Sequence, residues 1–230
     1  MKIALIGYGK MGHMIEQVAR RRGHEIVAVI DKDNTADFLS PAFRSAEVAI
    51  EFSTPATAEA NIRAAWRAGL PVVSGTTGWD ADALRCGVQE AAECSGCAPH
   101  TLMWSSNYSI GVNVFFALNK RLAGLLAAYP DYIPSITEVH HIHKLDAPSG
   151  TAKTLAQDIA STRSALPHIE SVREGEVPGI HTVTWDSPID IVSITHSAKS
   201  REGFALGAVL AAEWLADKNG WHTFNEVLGL

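Results

Sequence analysis

The sequence predicts an α/β protein with an N-terminal Rossmann-type, doubly wound parallel sheet, followed by an α+β domain built on an open mixed β-sheet. Three observations predict it. Short apolar runs alternate with helical patterns over residues 2–104, the mark of βαβ units and a parallel sheet. A glycine-rich turn, Gly7-Tyr-Gly-Lys-Met-Gly12, joins the first apolar run to the first helical pattern. After Asn107 the pattern changes to one long apolar helix and then to closely spaced β-rich segments.

Each element has its own warrant. Lys2–Tyr8 is a short apolar strand that breaks at glycine, and Lys10–Arg22 carries Met11, Met14, Ile15, Val18 and Ala19 at helical spacing. Glu25–Asp31 and Glu47–Phe52 are the second and third strands, and Ala56–Ala68 is an alanine-rich helix. Leu70–Ser74 is a fourth strand, Asp80–Glu93 a helix and Pro99–Trp104 a fifth strand. In the second half, Ile110–Ala128 is a long helix, Ile133–His143 alternates like a strand and Thr151–Ser161 reads as a helix. Gly179–Trp185 and Ile189–His196 form an antiparallel pair, and Phe204–Ala216 is a last amphipathic helix.

Bulk properties narrow the function. Hydrophobic content of 47% and charged content of 19% suit a globular chain with a substantial core. A formal charge of −6 argues against a general nucleic-acid binder, so an anionic ligand must be met by local positive charge. The opening Met1-Lys-Ile-Ala-Leu-Ile-Gly7 is too short for a signal-peptide core, and no run approaches the roughly 18 residues of a membrane span. The expected compartment is the cytoplasm. Cys86, Cys94 and Cys97 make no disulfide framework, and Cys94-Ser-Gly-Cys97 lacks a second Cys/His pair at zinc-finger spacing.

The glycine turn gains meaning from its setting. It follows a strand and opens a helix, and Asp31 ends the next strand 19 positions beyond Gly12. Gly7 permits the tight turn, Gly9 lets a pyrophosphate approach the backbone, and Gly12 allows close helix–sheet packing. The helix start, with Tyr8, Lys10 and Met11 around it, offers N–H donors to the phosphates. Asp31 accepts hydrogen bonds from an adenosine ribose, while Lys32 beside it suits a 2′-phosphate, so the expected cofactor is NADH or NADPH. Gly75, Thr76 and Thr77 follow the fourth strand, and Ser105, Ser106, Asn107 and Tyr108 follow the fifth. Carboxyl ends of strands are where doubly wound sheets bind ligands, and Phe52 at the third strand's end is placed to flank the cofactor.

Glu138-Val-His-His-Ile-His-Lys-Leu-Asp-Ala-Pro-Ser-Gly-Thr-Ala152 concentrates imidazoles, an ammonium and a carboxylate before a helix start. Imidazole titrates near neutral pH, and a Ser-Gly-Thr helix start presents free N–H groups to an anion. A metal site is one reading, since Glu138, His140, His141 and His143 are all ligand types. On a strand, however, His140 and His141 face opposite ways, and no HExxH helix is present. A structural histidine cluster is a second reading, and an acid/base and anion-binding site beside the cofactor is the third and favoured one.

That segment is similar to the E-x-H-H-x-x-K-x-D-A-P-S-G-T-A signature of the dihydrodipicolinate (4-hydroxy-tetrahydrodipicolinate) reductase family. The resemblance extends to the glycine loop, Gly75-Thr-Thr-Gly78, Asn107-Tyr-Ser-Ile-Gly-Val-Asn113, and Ser200-Arg201 with Phe204-Ala205 and Gly207-Ala208. It implies a dinucleotide-binding domain over 1–108 and 201–230, a substrate-binding and oligomerisation domain over 109–200, a homotetramer, and a role in diaminopimelate and lysine biosynthesis. His140 is then the acid/base residue and Lys144 the second proton donor. His141, Lys144, Ser149, Gly150, Thr151 and Arg201 hold a small dicarboxylate substrate, with no metal, nucleic-acid or membrane partner. The compact spacing between Asp31 and Glu47 implies a reduced second βα unit, and Tyr108 stands where many members have Phe. Competing functions are another Rossmann-type reductase of a small carbonyl or imine and a non-enzymatic dinucleotide sensor; neither requires the His-His-x-x-Lys run.

Overall fold

The computed structural model describes residues 1–88 and 100–230, which divide into two compact units. Met1–Ser109 with Phe204–Leu230 form the first, and Ile110–Gly203 the second.

The first unit is a six-stranded parallel sheet in the order β10-β5-β4-β3-β1-β2. Its strands are β1 (Lys2–Ile6), β2 (Glu25–Ile30), β3 (Val48–Glu51), β4 (Val72–Ser74), β5 (Leu102–Trp104) and β10 (Trp221–His222). β1, β3 and β4 are buried almost throughout, as a parallel sheet covered on both faces demands. Helix α1 (Lys10–Arg21) buries Gly12, Ile15, Val18 and Ala19 and ends in Arg20 and Arg21, whose charges complement the helix dipole. Between β2 and β3 the chain makes only a short 3₁₀ turn (Thr35–Leu39) and the four-residue helix α2 (Pro41–Arg44). Ser40 caps α2 by accepting from the Phe43 N–H, and Pro41 opens it. The second βα unit is thus reduced, and a four-residue helix leaves no periodicity to read. Helix α3 (Ala58–Arg67) seats Trp66, whose Nε1 donates to the Thr101 carbonyl at 3.0 Å.

Three 3₁₀ residues, Asp82–Leu84, and helical residues 85–88 stand where a helix over Asp80–Glu93 was expected. The remainder of that helix, Cys94, Cys97 and Pro99 lie outside the described residues. Cys86 carries an exposed free thiol. The chain returns to the first unit through α6 (Glu202–Leu215) and α7 (Phe224–Leu228), with β10 between them. Gly207 makes that return possible, because a Cβ there would stand 1.7 Å from the Tyr108 carbonyl oxygen. Two-residue β10 and short α7 are too brief to show a pattern in sequence.

The second unit is a four-stranded mixed sheet in the order β7-β6-β8-β9. β6 (Ile133–His140) pairs antiparallel with β8 (Ile180–Asp186), which pairs antiparallel with β9 (Ile191–Ser197). β7 (His168–Arg173), absent from the sequence reading, runs parallel to β6 after a crossover through α5 (Gly150–Arg163). Helices α4 (Ile110–Leu126) and α5 supply Phe115, Ala123, Ala152, Leu155 and Ile159, which pack on Ile136, Val183 and Trp185 from the sheet. Each fully buried side chain of this size contributes about 1.5–3 kcal/mol, so this layer carries the unit. Glu138, His140 and His181 lie on the same buried face, where the apolar core gives out towards the start of α5.

Candidate active site

In the first unit the glycine loop lines a cavity of about 430 Å³. Gly7, Tyr8, Gly9, Asp31, Lys32 and Phe52 all face it, joined by Ser53, Thr54, Thr57 and Asn61, which sequence reasoning missed. The three loop glycines divide the work by contact. Gly7 has φ +90°, and a Cβ there would lie 2.1 Å from the Phe52 carbonyl oxygen. A Cβ on Gly12 would stand 2.4 Å from the Gly7 carbonyl oxygen, so it closes the turn against the helix. Nothing lies within 4 Å of a Cβ on Gly9, so open space remains above that backbone. A cradle of this kind, at a helix start with Asp31 exposed at the end of β2, fits a dinucleotide. Lys10 is exposed and Met11 half-buried at the start of α1.

The other expected contacts divide. Gly75 is pressed on the Phe52 ring, which would meet its Cβ at 2.1 Å, while Thr77 is exposed. Thr76 is buried, its hydroxyl donating to Glu51 Oε1 at 2.9 Å and accepting from the Ser53 N–H. Ser105 and Asn107 bond each other in a tight turn, Ser106 beside them being exposed. Tyr108 turns its side chain inward: the ring is buried and its hydroxyl donates to the Ser74 and Met103 carbonyls, which leaves its backbone in the expected loop. Burial pushes that phenol well above its ordinary range. The ring braces the fold, and its inward bonds explain why Tyr serves where Phe would also fit.

Beneath these loops lies Glu51, with no exposed surface. Its Oε2 accepts from Ser74 Oγ at 2.6 Å, and its Oε1 accepts from Thr76 Oγ1, the Ser53 N–H and the Ser53 hydroxyl. The carboxylate therefore ties the ends of β3 and β4, from which two of the expected cofactor loops leave.

In the second unit, β6 stops at His140, and residues 141–143 begin a turn. His140 is buried, with 7% of its surface exposed, and His141 is half-buried. His143 turns away to an exposed contact with Glu176 at 3.0 Å, so the four sequence candidates for a metal do not converge. What converges instead is Glu138, His140 and His181. Glu138 Oε2 lies 3.5 Å from His140 Nδ1 and 3.6 Å from His181 Nε2. Glu138 Oε1 accepts from the Ser149 N–H at 2.9 Å and Ser171 Oγ at 2.7 Å. Ser149 caps α5 by accepting from the Ala152 N–H, and its Oγ lies 3.2 Å from His181 Nε2.

Electrostatics follow from burial. His140 is held below the ordinary histidine range by desolvation, with Lys144 and Arg173 adding to the depression and Glu138 opposing it. His181, more deeply enclosed, is lowered to about 4 by burial and by neighbouring His140. For Glu138, burial works upward, but the bonds from Ser149 and Ser171 outweigh it and keep the carboxyl ionised below its usual range. Lys144 Nζ donates to Asp146 Oδ1 at 2.6 Å, which lowers the Asp146 carboxyl. Arg173, register partner of His140, pins this loop by donating from Nε to the Lys144 carbonyl and from Nη2 to the Asp146 carbonyl. Gly150 opens α5 with nothing within 4 Å of where its Cβ would be, leaving free backbone for an anion. Thr151 follows, half-buried. Arg201 is exposed, and among the described residues it makes no hydrogen bond to this network.

Ser171, Arg173 and His181 were missed because their sequence context is ordinary; only the strand register sets them beside Glu138 and His140. The groups assembled are a buried imidazole, a nearby ammonium and a helix start with open backbone, all in one unit.

Comparisons with known proteins place the chain in a family. Residues 1–108 match the family description "Dihydrodipicolinate reductase, N-terminus", and residues 111–228 match "Dihydrodipicolinate reductase, C-terminus". A 4-hydroxy-tetrahydrodipicolinate reductase from Christiangramia forsetii is 46% identical, covering 99% of this chain and 98% of its own. One of the same name from Lawsonia intracellularis is 33% identical over 94% of this chain and 93% of its own. A structure of dihydrodipicolinate reductase from Paenisporosarcina sp. TG-14, with dipicolinate bound, shares the fold at a TM-score of 0.76 and 23% identity over 98% of both chains. With both halves matched in order and near full-length identity to a named relative, the chain belongs to the dihydrodipicolinate reductase family.

Proposed function

We propose that the protein reduces 4-hydroxy-tetrahydrodipicolinate to tetrahydrodipicolinate and water with NADH or NADPH, as a step towards diaminopimelate and lysine. The observation that carries this reading is the single hydrogen-bonded unit made by residues 138–151, in which Glu138 accepts from the Ser149 N–H and faces His140. An acid/base ring and an anion clamp joined in this way suit a cyclic imine that bears carboxylates.

Gly7, Gly9 and Gly12 would cradle the pyrophosphate, Asp31 and Lys32 would meet the ribose, and Phe52, Gly75–Thr77 and Ser105–Asn107 would flank the nicotinamide half. Bound there, the dinucleotide supplies a hydride. The Ser149-Gly150-Thr151 helix start and His141 hold one carboxylate of the substrate, and Lys144, released from Asp146, meets the charge that builds on the ring nitrogen. His140 gives its proton to the ring carbon next to the reduced position, a role contributing about 10²–10⁴-fold. The sum balances: substrate, reduced dinucleotide and one proton become tetrahydrodipicolinate, oxidised dinucleotide and water. Arg201 is a further carboxylate partner. The sheet face opposite α4 and α5, bearing half-exposed Thr137, Val139, Thr182 and Thr184, supports assembly as a homotetramer, which light scattering after size exclusion tests. A cytoplasmic setting agrees with the absence, among the described residues, of any helix long and apolar enough to cross a membrane.

The test is a coupled assay. Freshly generated 4-hydroxy-tetrahydrodipicolinate is supplied, and loss of NADH and NADPH absorbance is followed in parallel. Oxidation of either dinucleotide is expected, and the ratio of kcat/KM reads how Asp31 and Lys32 divide the choice. No oxidation with dinucleotide binding intact would overturn the proposal in favour of another reductase or a sensor.

A further inference from the structure

We infer that Glu138 and His181 are positioning residues for His140: one buried carboxylate ties the proton-donating ring to the helix start that clamps the substrate. This deepens the function proposed above and rests on it. The strand register creates the arrangement. Ser171, Glu138, His181 and His196 are successive partners across β7, β6, β8 and β9, so a polar row crosses the sheet on the same face as the apolar core. Glu138 has no exposed surface and His181 has 5%. Ser149 and Ser171 occupy Glu138 Oε1, while Oε2 and His140 Nδ1 are both buried without a hydrogen-bond partner. A buried carboxylate oxygen demands donors. The groups that face it are the two imidazoles, at 3.5 and 3.6 Å, and they close on it when His140 carries its proton on Nδ1.

That tautomer leaves Nε2 as the atom that gives up the second proton of the imidazolium. Gly179, at φ +151°, lies beside that atom, and a Cβ there would stand 3.1 Å from His140 Nε2, so any other residue at 179 would crowd it. After transfer the ring remains neutral with Nδ1–H towards Glu138, and solvent restores the proton. His181 packs edge-on against His140 with ring centroids 5.0 Å apart, and its Nε2 reaches both Glu138 and Ser149. It therefore holds the carboxylate between ring and clamp. The charged and titratable groups that bear on His140 are Glu138, Lys144, Asp146 and Arg173, and those on His181 are His140, Glu138, His196 and Lys144. Glu138 is the nearest anion to His140 and keeps the imidazolium accessible against burial and two cations.

Glu138→Gln keeps the shape and removes the charge. We expect kcat to fall about tenfold to a hundredfold, the range seen when an orienting partner is lost. KM for the cyclic substrate should change by less than about threefold, because the amide oxygen still accepts from Ser149. The high-pH decline of kcat should move to lower pH, since the acid form of His140 loses its stabilising charge. His181→Phe should lose kcat, and His181→Gln, which retains a donor, should lose less than His181→Phe. Histidine 15N spectra of the wild-type protein, assigned with His140→Gln, read the tautomer without turnover and should give Nδ1–H for His140. An Nε2–H tautomer would overturn the inference, as would wild-type kcat and an unmoved pH limb in Glu138→Gln. One tightly held equivalent of zinc lost in that variant would also overturn it, by making Glu138 a ligand. If the wild-type protein oxidises neither dinucleotide, the proposed function fails by itself; if it turns over and Glu138→Gln matches it, only this inference fails.

Discussion

Glu51 and Glu138 are both carboxylates without exposed surface, each on an interior strand of its sheet, yet they are finished differently. Both oxygens of Glu51 are taken by hydroxyl or N–H donors from Ser53, Ser74 and Thr76. Glu138 has one oxygen so occupied and the other turned to two imidazoles. Desolvating a carboxylate costs several kcal/mol unless donors offset it. Full satisfaction makes Glu51 a strut. Glu138, left short beside groups that titrate, has a state that changes with theirs. Equal burial therefore does not mean equal role, and the donors on each oxygen tell the two apart.

The largest expected effect tests the strut. Glu51→Ala strips the acceptor from Ser53, Ser74 and Thr76 and should cost about 3–5 kcal/mol, a large part of a domain's usual stability. Urea denaturation followed by tryptophan fluorescence measures it. A loss below about 1 kcal/mol would mean that Glu51 is not the tie between β3 and β4.

Next comes the chemistry that Glu138 serves. His140→Gln should lower kcat by about 10²–10⁴-fold and Lys144→Ala by a similar order. NADH affinity measured by fluorescence titration should stay within about twofold, because the glycine-loop cavity belongs to the other unit. Lost NADH affinity in either variant would erase the division of labour between the units.

Acid should separate the two units as well. His181 falls from the ordinary histidine value of 6.5 to about 4 in the folded chain, so the unfolded chain binds the extra proton between those values. The native state is then favoured above pH 6.5, and about 3 kcal/mol of that advantage is lost as pH falls towards 4. His140 and His196 are depressed in the same sense, and Glu138, itself lowered, adds its loss further into acid. His181→Gln should flatten the fall in Tm between pH 7 and 4.5. An identical slope in the variant would show that His181 takes up its proton without unfolding.

Local features were legible in sequence, and what depends on register was not. The glycine turn and the Glu138–Ala152 segment carry their chemistry within a few residues, so their elements and candidate roles could be read directly. His181 stands 32 residues from Ser149, and Ser171 is 33 from Glu138; both reach the carboxylate only through pairing of β8 and β7 with β6. β7 itself escaped notice because Glu170 and Arg173 mask an edge strand with charge, which is how exposed edges avoid unwanted pairing. For Tyr108, burial of the ring was not legible either. Its neighbours in sequence are loop residues, but the cavity that receives its ring forms only when Phe224 packs against it at 5.1 Å between centroids.

The smallest prediction compares two serine caps. Ser40 Oγ accepts from the Phe43 N–H at 3.1 Å in the first unit, and Ser149 Oγ accepts from the Ala152 N–H at 3.2 Å in the second. As caps they are equivalent, and replacing either with alanine should cost about 1 kcal/mol. Ser149 alone has a second contact, His181 Nε2 at 3.2 Å, and an N–H held by Glu138. Ser40→Ala should thus lower Tm by a few degrees and leave kcat and KM unchanged. Ser149→Ala should lower Tm by a similar amount and also raise KM for the cyclic dicarboxylate several-fold, because its hydroxyl belongs to the clamp. Steady-state kinetics beside thermal melts of the two variants would decide it. A KM unchanged in Ser149→Ala would reduce that serine to a cap like Ser40 and move the clamp to the backbone of Gly150 and Thr151.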